Sequence, residues 1–363
     1  MPSHDVVLIP GDGIGTETSA AMQRVVAASG ANIDWHIEQA GAACIEEFGT
    51  PLPDRTVKAI EDIGCAIKGP VTTPVGSGFR SVNVALRKTL HLYANLRPVI
   101  SIPGAGGKWD DVDLVIVREN TEDLYAGIEF EEGSEDAKEL IGFLESHGKG
   151  RVSEDSAISI KPISEHASRD IVQFAFDYAH ENGRNSVTAV HKANIMKHSD
   201  GLFLRTARKV AEENSDIPFS DMIIDAFCMN LVMDPNRFDV VVLPNLYGDI
   251  VSDLAAGLVG GIGLAPGANI GHEQAVFEAV HGSAPDIAGK DLCNPTAQIL
   301  SAAMMLDHLG EHECAGRIRK GVIEVYREGS CLTGDIKRSA GDASKPARCT
   351  EFTQALIEAV ERQ

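Results

Sequence analysis

Basic residues are scarce in this sequence. Its 363 residues include 32 lysines and arginines against 53 aspartates and glutamates, for a formal net charge of -21. Such a surface repels nucleic acid and anionic lipid, so neither is an expected partner. It also repels a small anion, which could therefore bind only where the few basic residues collect in one pocket.

The chain also lacks paired cysteines and long apolar runs. None of its seven cysteines stands in a C-x-x-C pair and the count is odd, so we expect reduced thiols rather than a zinc site or a disulfide framework. No stretch approaches ~18 consecutive apolar residues, and no basic presequence precedes the first apolar run. We expect a cytoplasmic protein without membrane spans, or a mitochondrial matrix protein if a transit peptide has been removed.

What is present is an alternation of short apolar runs with helical patterns, which predicts an α/β fold with a largely parallel sheet. Apolar residues make up 44% of the chain, enough for a large core. The predicted strands are residues 5–10, 65–68, 114–117, 187–190, 222–224 and 240–243. The predicted helices are residues 16–28, 165–181, with Ser164 as N-cap, and 202–213.

A glycine-rich turn follows the first predicted strand. Its Gly13 and Gly15 are two residues apart rather than three, so the turn does not fit the G-x-G-x-x-G fingerprint. No acidic residue stands at a clear strand end about twenty residues later. The turn therefore predicts a tight backbone beside an active site, and not the pyrophosphate loop of a standard Rossmann fold.

The arginines concentrate in a way that suits a polycarboxylate. Ser81, Asn83 and Arg87 stand near the start of a helix predicted after a turn-rich segment, where free N–H groups favour anions. Arg97 precedes a proline and Arg118 ends a predicted strand. A surface salt bridge is the simpler interpretation of any one arginine. Three in so acidic a chain favour a bidentate clamp on two or three carboxylates.

Two carboxylates are spaced for one face of a helix. Asp249 and Asp253 are four residues apart after the predicted strand at 240–243. Like charges so placed repel each other unless a cation lies between them, and their hard oxygens suit Mg²⁺ or Mn²⁺. Asp225, after the strand at 222–224, is a third candidate ligand. A solvated helix face is the alternative, but the carboxyl end of a buried strand favours a site.

Residues 129–160 interrupt the α/β alternation with an acidic stretch containing Gly and Ser. We predict that this segment leaves the main sheet. It forms either an arm that pairs with a second subunit or a surface loop.

Several stretches together resemble the β-decarboxylating dehydrogenase family of isocitrate, isopropylmalate, homoisocitrate and tartrate/malate dehydrogenases, over essentially the whole chain. The clearest are VRENTEDLYAGIE at 117–129, VHKANIMK at 190–197 and HGSAPDIAGKDLCN at 281–294. The resemblance implies the two-lobe α/β fold of the isocitrate/isopropylmalate dehydrogenases, not a standard Rossmann fold. Residues 1–99 and 257–363 would form the large cofactor lobe, and 100–256 the small lobe with the dimer interface.

The resemblance also implies an oxidative decarboxylation with assigned residues. The substrate carboxylates would be bound by Ser81, Asn83, Arg87, Arg97 and Arg118. The catalytic acid/base pair would be Tyr125 and Lys192, and the Mg²⁺ or Mn²⁺ ligands Asp225, Asp249 and Asp253. Lys192 and Asp225 would serve the partner subunit's site, so the resemblance implies a homodimer with shared active sites.

The segment 281–294 resembles the family's adenosine-binding loop and indicates NAD. A carboxylate at Asp286 accepts hydrogen bonds from ribose hydroxyls and repels a 2′-phosphate, and NADP-preferring members carry Lys and then Tyr at this position and the next. The resemblance implies cofactor contacts at Ile14, Thr73, His281, Gly282, Ala284, Asp286, Ile287 and Asn294.

Isocitrate is the expected substrate, because Ser81 and Asn83 suit its extra carboxylate where isopropylmalate members usually present Glu and Leu. Homoisocitrate stays open, since one methylene is worth only ~1–3 kcal/mol, and isopropylmalate and tartrate or D-malate are further alternatives. A non-catalytic regulatory subunit is the alternative of another class. The presence of Tyr125, Lys192 and the acidic and arginine sets favours a catalytic chain.

Overall fold

The computed structural model describes residues 3–72 and 81–363. Its strands are β1 (His4–Ile9), β2 (Ile33–Ile37), β3 (Cys65–Lys68), β4 (Ala94–Ile100), β5 (Asp113–Glu119), β6 (Glu129–Phe130), β7 (Ile158–Ser159), β8 (Val187–His191), β9 (Phe219–Ile223), β10 (Val240–Leu243), β11 (Pro266–Ile270) and β12 (Ala275–Ala279). Its α-helices are α1 (Gly15–Ala28), α2 (Cys44–Phe48), α3 (Asp54–Ile63), α4 (Val82–Thr89), α5 (Glu135–Ser146), α6 (Glu165–Glu181), α7 (Ser199–Glu213), α8 (Ile224–Met233), α9 (Asn245–Val259), α10 (Thr296–His308), α11 (His312–Glu328), α12 (Gly334–Ser339) and α13 (Cys349–Glu361).

Ten strands form one sheet in the order β2-β1-β3-β12-β11-β4-β5-β10-β8-β9. Its pairings are parallel except for β12 with β11, β11 with β4, and β4 with β5. The predicted α/β fold with a largely parallel sheet is confirmed. Strands β2, β4, β11 and β12 were not predicted. Polar or charged residues interrupt the apolar pattern of the last three, namely Asn95 and Arg97 in β4, Asn269 in β11 and Glu278 in β12.

The predicted elements are present with small shifts in their bounds. Helix α6 has the predicted bounds, and Ser164 caps it by accepting a hydrogen bond from the Ala167 amide at 3.2 Å. Strand β9 ends at Ile223 and helix α8 begins at Ile224. Asp225 therefore lies in the first turn of a helix, and the prediction that the strand extends to residue 224 was wrong by one residue.

The core lies on both faces of the sheet, as expected of an α/β fold. The largest apolar cluster joins strands of both sheet halves to helices α6, α10 and α11, and a second cluster packs α8 and α9 against β5 and β10. The proposed large lobe, residues 1–99 and 257–363, contributes strands β1–β4, β11 and β12, except for Ile100 at the end of β4. The proposed small lobe, residues 100–256, contributes β5 and β8–β10. The border between the two proposed lobes thus falls between β4 and β5, within one continuous sheet.

Residues 129–160 lie outside the ten-stranded sheet. Strands β6 and β7 pair antiparallel in a small sheet of their own, with α5 between them. Helix α5 was not predicted, although Ser134 caps it by accepting a hydrogen bond from the Ala137 amide at 3.2 Å. Pairing of this arm with a second subunit stays a prediction.

Among the residues that the structure describes, no helix combines the length and the apolar character needed to cross a membrane.

Candidate active site

The site is built where β4, β5 and helix α9 meet. Arg97 lies in β4 and Arg118 in the neighbouring β5, and Arg118 is in register with Leu243 at the end of β10. Helix α9 starts directly after β10 and passes over Arg118. A Cβ atom built on Gly248 would lie 2.5 Å from the Arg118 Cγ atom, so the helix can approach this arginine only because residue 248 is glycine.

Both arginines are buried and reach the two aspartates of α9. Nε and Nη2 of Arg118 donate to Asn245 Oδ1 at 3.0 and 2.7 Å, and its Nη1 donates to Asp249. The Nη1 atom of Arg97 lies 3.6 Å from Asp249 Oδ1 and 3.6 Å from Asp253 Oδ1. The structure thus brings together two of the predicted arginines and the predicted pair of helical carboxylates.

The charges in this cluster act on one another. Burial, followed by the nearby Arg87 and Arg97, lowers the pKa of Arg118 to about 10. Burial alone would raise the pKa of Asp249, but Arg118, the hydrogen bond from Tyr125 and Arg97 outweigh it and lower that pKa. Crowded guanidinium groups keep a site positive and favour an anionic ligand.

Tyr125 lies in a short 3-10 turn, Asp123–Ala126. Its hydroxyl donates to Asp249, and the Arg118 guanidinium carbon lies 4.8 Å from its ring centroid. Burial, followed by the contact with Asp249, raises the pKa of Tyr125 above the usual value near 10. The phenol is therefore protonated at neutral pH, as a proton donor must be.

A small polar pocket of about 110 Å³ adjoins the arginines. Asn83, Arg87, Arg97, His281 and Gly282 are among the residues that line it. The Oδ1 atom of Asn83 and the Nε2 atom of His281 are buried in its wall, and neither has a hydrogen-bond partner among residues 3–72 and 81–363. Because buried polar atoms are normally paired, these two atoms indicate that the pocket takes a polar ligand.

The structure adds supporting residues that were not predicted. Arg87 donates to Asn269 Oδ1 at 3.0 Å and to Glu278 Oε1 at 3.2 Å, and Lys68 donates to Glu278 Oε2 at 2.5 Å. Burial alone would raise the pKa of Glu278, but Lys68 and Arg87 outweigh it and hold that pKa far below its usual range. The only sequence signal for this group was a charge inside a short apolar strand.

The glycine-rich turn packs against the candidate adenosine loop. The Ile14 amide donates to Ser283 O at 2.9 Å, and a Cβ built on Gly13, whose φ is +59°, would lie 2.1 Å from that oxygen. Glu17 accepts hydrogen bonds from the Gly289 and Asp291 amides at 2.7 and 2.8 Å. Two segments that are far apart in sequence are thereby held as one unit.

The remaining predicted cofactor residues occupy different environments. Asp286 is exposed, and Ala284 and Ile287 pack against the small apolar cluster that contains Ile14. Asn294 is buried, and its amide donates to Tyr326 Oη at 3.2 Å and to Asp335 Oδ2 at 2.9 Å, so its contact with a cofactor stays a prediction. Thr73 lies outside the described residues.

Ser81, which was predicted to bind a substrate carboxylate, is exposed and immediately precedes α4.

Lys192 and Asp225 pair with each other. Across residues 3–72 and 81–363, no hydrogen bond or ion pair joins either of them to Tyr125, Arg118 or Asp249. The Asp225 side chain is 69% exposed, so it is accessible to a second chain. The shared active site itself stays a prediction.

The chain's own residues offer an incomplete cation site. Within the described part of the chain, no group of three or more His, Cys, Asp or Glu residues is placed to hold a metal. Asp249 and Asp253 provide hard oxygen donors of the kind that Mg²⁺ and Mn²⁺ prefer. Partial burial raises the pKa of Asp253 and the neighbouring Asp249 carboxylate adds to this, while Arg97 opposes both. A bound dication would offset the repulsion between the two carboxylates. The donor set fits Mg²⁺ or Mn²⁺ if a second copy adds its Asp225.

Comparisons with known proteins agree with these features. A family model described as isocitrate/isopropylmalate dehydrogenase matches residues 5–356. The chain is 45% identical over 351 residues to a probable mitochondrial NAD isocitrate dehydrogenase alpha subunit of Drosophila melanogaster (97% of this chain, 86% of the relative). It is 46% identical over 356 residues to a mitochondrial NAD isocitrate dehydrogenase regulatory subunit of Dictyostelium discoideum (98% and 91%). The crystal structure of isocitrate dehydrogenase from Methylococcus capsulatus is similar at 48% identity, with a TM-score of 0.89 and 99% of each chain covered.

Proposed function

We propose, since the chain belongs to the isocitrate/isopropylmalate dehydrogenase family, that it oxidises isocitrate with NAD and decarboxylates it to 2-oxoglutarate and CO₂. The observation that carries this proposal is the cluster of Arg87, Arg97 and Arg118 beside Tyr125 in a chain of net charge -21. Three guanidinium groups gathered at one place in so acidic a molecule favour the binding of a strongly anionic substrate.

The three guanidinium groups would hold two of the substrate's three carboxylates. The hydroxyl of Ser81 and the amide of Asn83 would bind the third carboxylate. Lys192 of a second copy would take the proton of the C2 hydroxyl as the hydride leaves, and Tyr125 would return a proton at C3 after decarboxylation. A bound Mg²⁺ or Mn²⁺ would polarise the C2 oxygen and stabilise the enolate. Asp249 and Asp253 would hold it from one chain and Asp225 from the other.

NAD is the proposed hydride acceptor. The relatives described above are named as NAD isocitrate dehydrogenase subunits, and the exposed Asp286 suits unmodified ribose. We propose that the loop from His281 to Asn294, held against Ile14, binds the adenosine half. Thr73 is the further proposed contact.

The proposed functional unit contains at least two chains, because Lys192 and Asp225 would complete a neighbour's site. A homodimer is the smallest such unit, with the lobe of residues 100–256 and its arm at the interface. The relatives are named as subunits, which supports a multi-subunit assembly and leaves larger ones open. Those two relatives are named as mitochondrial, which favours the matrix over the cytoplasm for this chain.

The first test is steady-state kinetics of the purified chain with NAD and Mn²⁺. We expect kcat/KM for isocitrate to exceed that for homoisocitrate by roughly tenfold or more, since one methylene changes specificity by about 10–200-fold. Isopropylmalate and D-malate should be poorer still, because they lack the carboxylate that Ser81 and Asn83 would meet. Higher rates with homoisocitrate would reassign the substrate. No activity with any of the four would favour a regulatory subunit.

A second test concerns the cofactor. The double change Asp286→Lys with Ile287→Tyr should shift the ratio of kcat/KM for NAD and NADP toward NADP by about tenfold or more, because a lysine forms a charge-assisted pair with the 2′-phosphate. Asp110→Lys is the matched control, since it changes an exposed carboxylate in the β4–β5 loop by the same charge. A wild-type chain already faster with NADP at equal concentration would refute the assignment to NAD.

A further inference from the structure

A buried cluster of charges, which the proposed chemistry does not use, lies beside the Tyr125 turn. We define it as Asp123, Lys161, Asp200 and Tyr247. Asp123 and Asp200 have no exposed surface, and Lys161 is 13% exposed. The Lys161 Nζ atom lies 2.8 Å from Asp200 Oδ1, 3.7 Å from Asp123 Oδ1 and 4.4 Å from the Tyr247 ring centroid. Charges are kept at such depth only with partners.

Asp123 fixes the turn that carries Tyr125. Its φ is +65°, a conformation that is uncommon for residues other than glycine. Its carboxylate accepts hydrogen bonds from the Leu124 amide at 2.8 Å and the Leu246 amide at 3.0 Å, and its own amide donates to Pro162 O at 3.0 Å. The turn is thereby tied to the start of α9, the helix of the paired aspartates, and to the residue that follows Lys161.

Asp200 fixes the turn that carries Lys192. It lies in the first turn of α7, and its Oδ2 atom accepts a hydrogen bond from the Lys192 amide at 2.7 Å. Burial, followed by the charge and hydrogen bond of Asp200, raises the pKa of Tyr247. Tyr247 therefore stays protonated beside this carboxylate.

We propose that Lys161 is a positioning residue that bridges the Asp123 and Asp200 carboxylates and so sets the Tyr125 turn and the Lys192 turn relative to each other. This inference rests on the proposed roles of Tyr125 and Lys192. Because those two residues would serve different active sites of a dimer, Lys161 connects the two sites through one chain. It follows β7, the returning strand of the arm, and so joins the base of the arm to both turns.

Loss of the bridge has a specific consequence. Without the ammonium group, two buried carboxylates face each other with no cation between them, and both turns must shift. In the described part of the chain, no hydrogen bond or ion pair joins the cluster to Arg97 or Arg118, which would hold the substrate. A bridge of this kind therefore affects kcat far more than KM.

The test compares Lys161→Met with Lys161→Arg in the full-length protein. We expect Lys161→Met to lower kcat by about 10–100-fold, since displacements near 1 Å cost rates of that order, with KM for isocitrate changed by less than about threefold. Lys161→Arg, which keeps the charge, should recover part of the rate. Lys209→Met is the matched control, because it removes an exposed lysine paired with Glu165 and should leave both constants unchanged.

Two further measurements separate positioning from folding and from the proposed function. The double variant Lys161→Met with Asp200→Asn removes one charge of each sign, so it should recover thermal stability but not kcat. Hydrogen exchange of the Leu124, Lys192 and Leu246 amides should quicken in Lys161→Met whatever the substrate is. An inactive wild-type chain would refute the proposed function. The hydrogen-exchange comparison would still test whether Lys161 bridges Asp123 and Asp200. Unchanged exchange, or a loss confined to KM, would overturn the positioning role.

Discussion

Replacing Tyr125 by Phe, or Lys192 by Met, is expected to lower kcat by about 10²–10⁴-fold, the range of general acid–base catalysis. The Tyr125 hydroxyl or the Lys192 amine is lost while the three arginines remain, so KM for isocitrate should change much less than kcat. Steady-state kinetics with saturating Mn²⁺ measure both constants. A Tyr125→Phe variant with wild-type kcat would remove this residue from the chemistry.

Mixing the two inactive variants tests which chain supplies Lys192. If each site combines Tyr125 of one chain with Lys192 of the other, a hybrid dimer holds one site with both changes and one intact site. Random mixing should then restore about a quarter of the wild-type sites, since half of the dimers are hybrids. Refolding the two chains together and assaying the mixture measures this recovery.

The matched control for the mixing experiment is Tyr125→Phe with Asp253→Asn. Both residues lie near Arg118 of the same chain, so every site in a hybrid dimer keeps one defect and no recovery is expected. If native mass spectrometry shows hybrids of Tyr125→Phe and Lys192→Met that remain inactive, Lys192 does not serve a partner's site.

The second large effect is expected on metal binding. Asp253→Asn removes one of the two carboxylates of α9 and should weaken Mn²⁺ binding by at least about tenfold, because an amide is a poorer ligand for a hard dication than a carboxylate. Binding is measured directly by Mn²⁺ paramagnetic resonance with isocitrate present, so the result does not depend on turnover. Asp110→Asn serves as the control, and an unchanged affinity in Asp253→Asn would exclude this residue as a ligand.

The same site predicts a pH dependence. Partial burial is the largest cause that raises the pKa of Asp253. Arg97 opposes the rise, and the negative charge of Asp249 adds to it. A proton therefore competes with the cation at a higher pH than for an ordinary aspartate, and metal affinity should fall as the pH drops through that raised pKa. Asp253→Asn should flatten this part of the profile. An equally steep profile in the variant would assign the proton to another group.

The parts of the fold that could be predicted depend on local pattern. Continuous apolar runs indicated β1, β3, β8 and β10 among the buried parallel strands, and Ser164 indicated the start of α6. The spacing of Asp249 and Asp253 indicated one helix face, and α9 places them there. Each of these depends on residues that are close in sequence.

The parts that could not be predicted depend on distant partners. Glu278 is paired with Lys68 across 210 positions, and neither residue carries a local signal of that contact. In the sequence, Lys161 looks like an ordinary surface lysine. Its contacts with Asp123 and Asp200 are visible only in the three-dimensional structure. The glycine-rich turn was correctly predicted to be tight, but its packing against Ser283 required the three-dimensional structure.

The pairing of β4 with β5 has a mechanical consequence. This pair runs in unbroken antiparallel register from Ala94 opposite Glu119 to Ile100 opposite Asp113, so the two halves of the molecule meet at a hydrogen-bonded seam rather than at a flexible tether. Bending between β4 and β5 would change the distance between the edge strands β2 and β9 much more than the distance between β4 and β5 themselves. Arg97 and Arg118 stand on those two strands, so the distance between their guanidinium groups would change little if the two proposed lobes moved relative to each other.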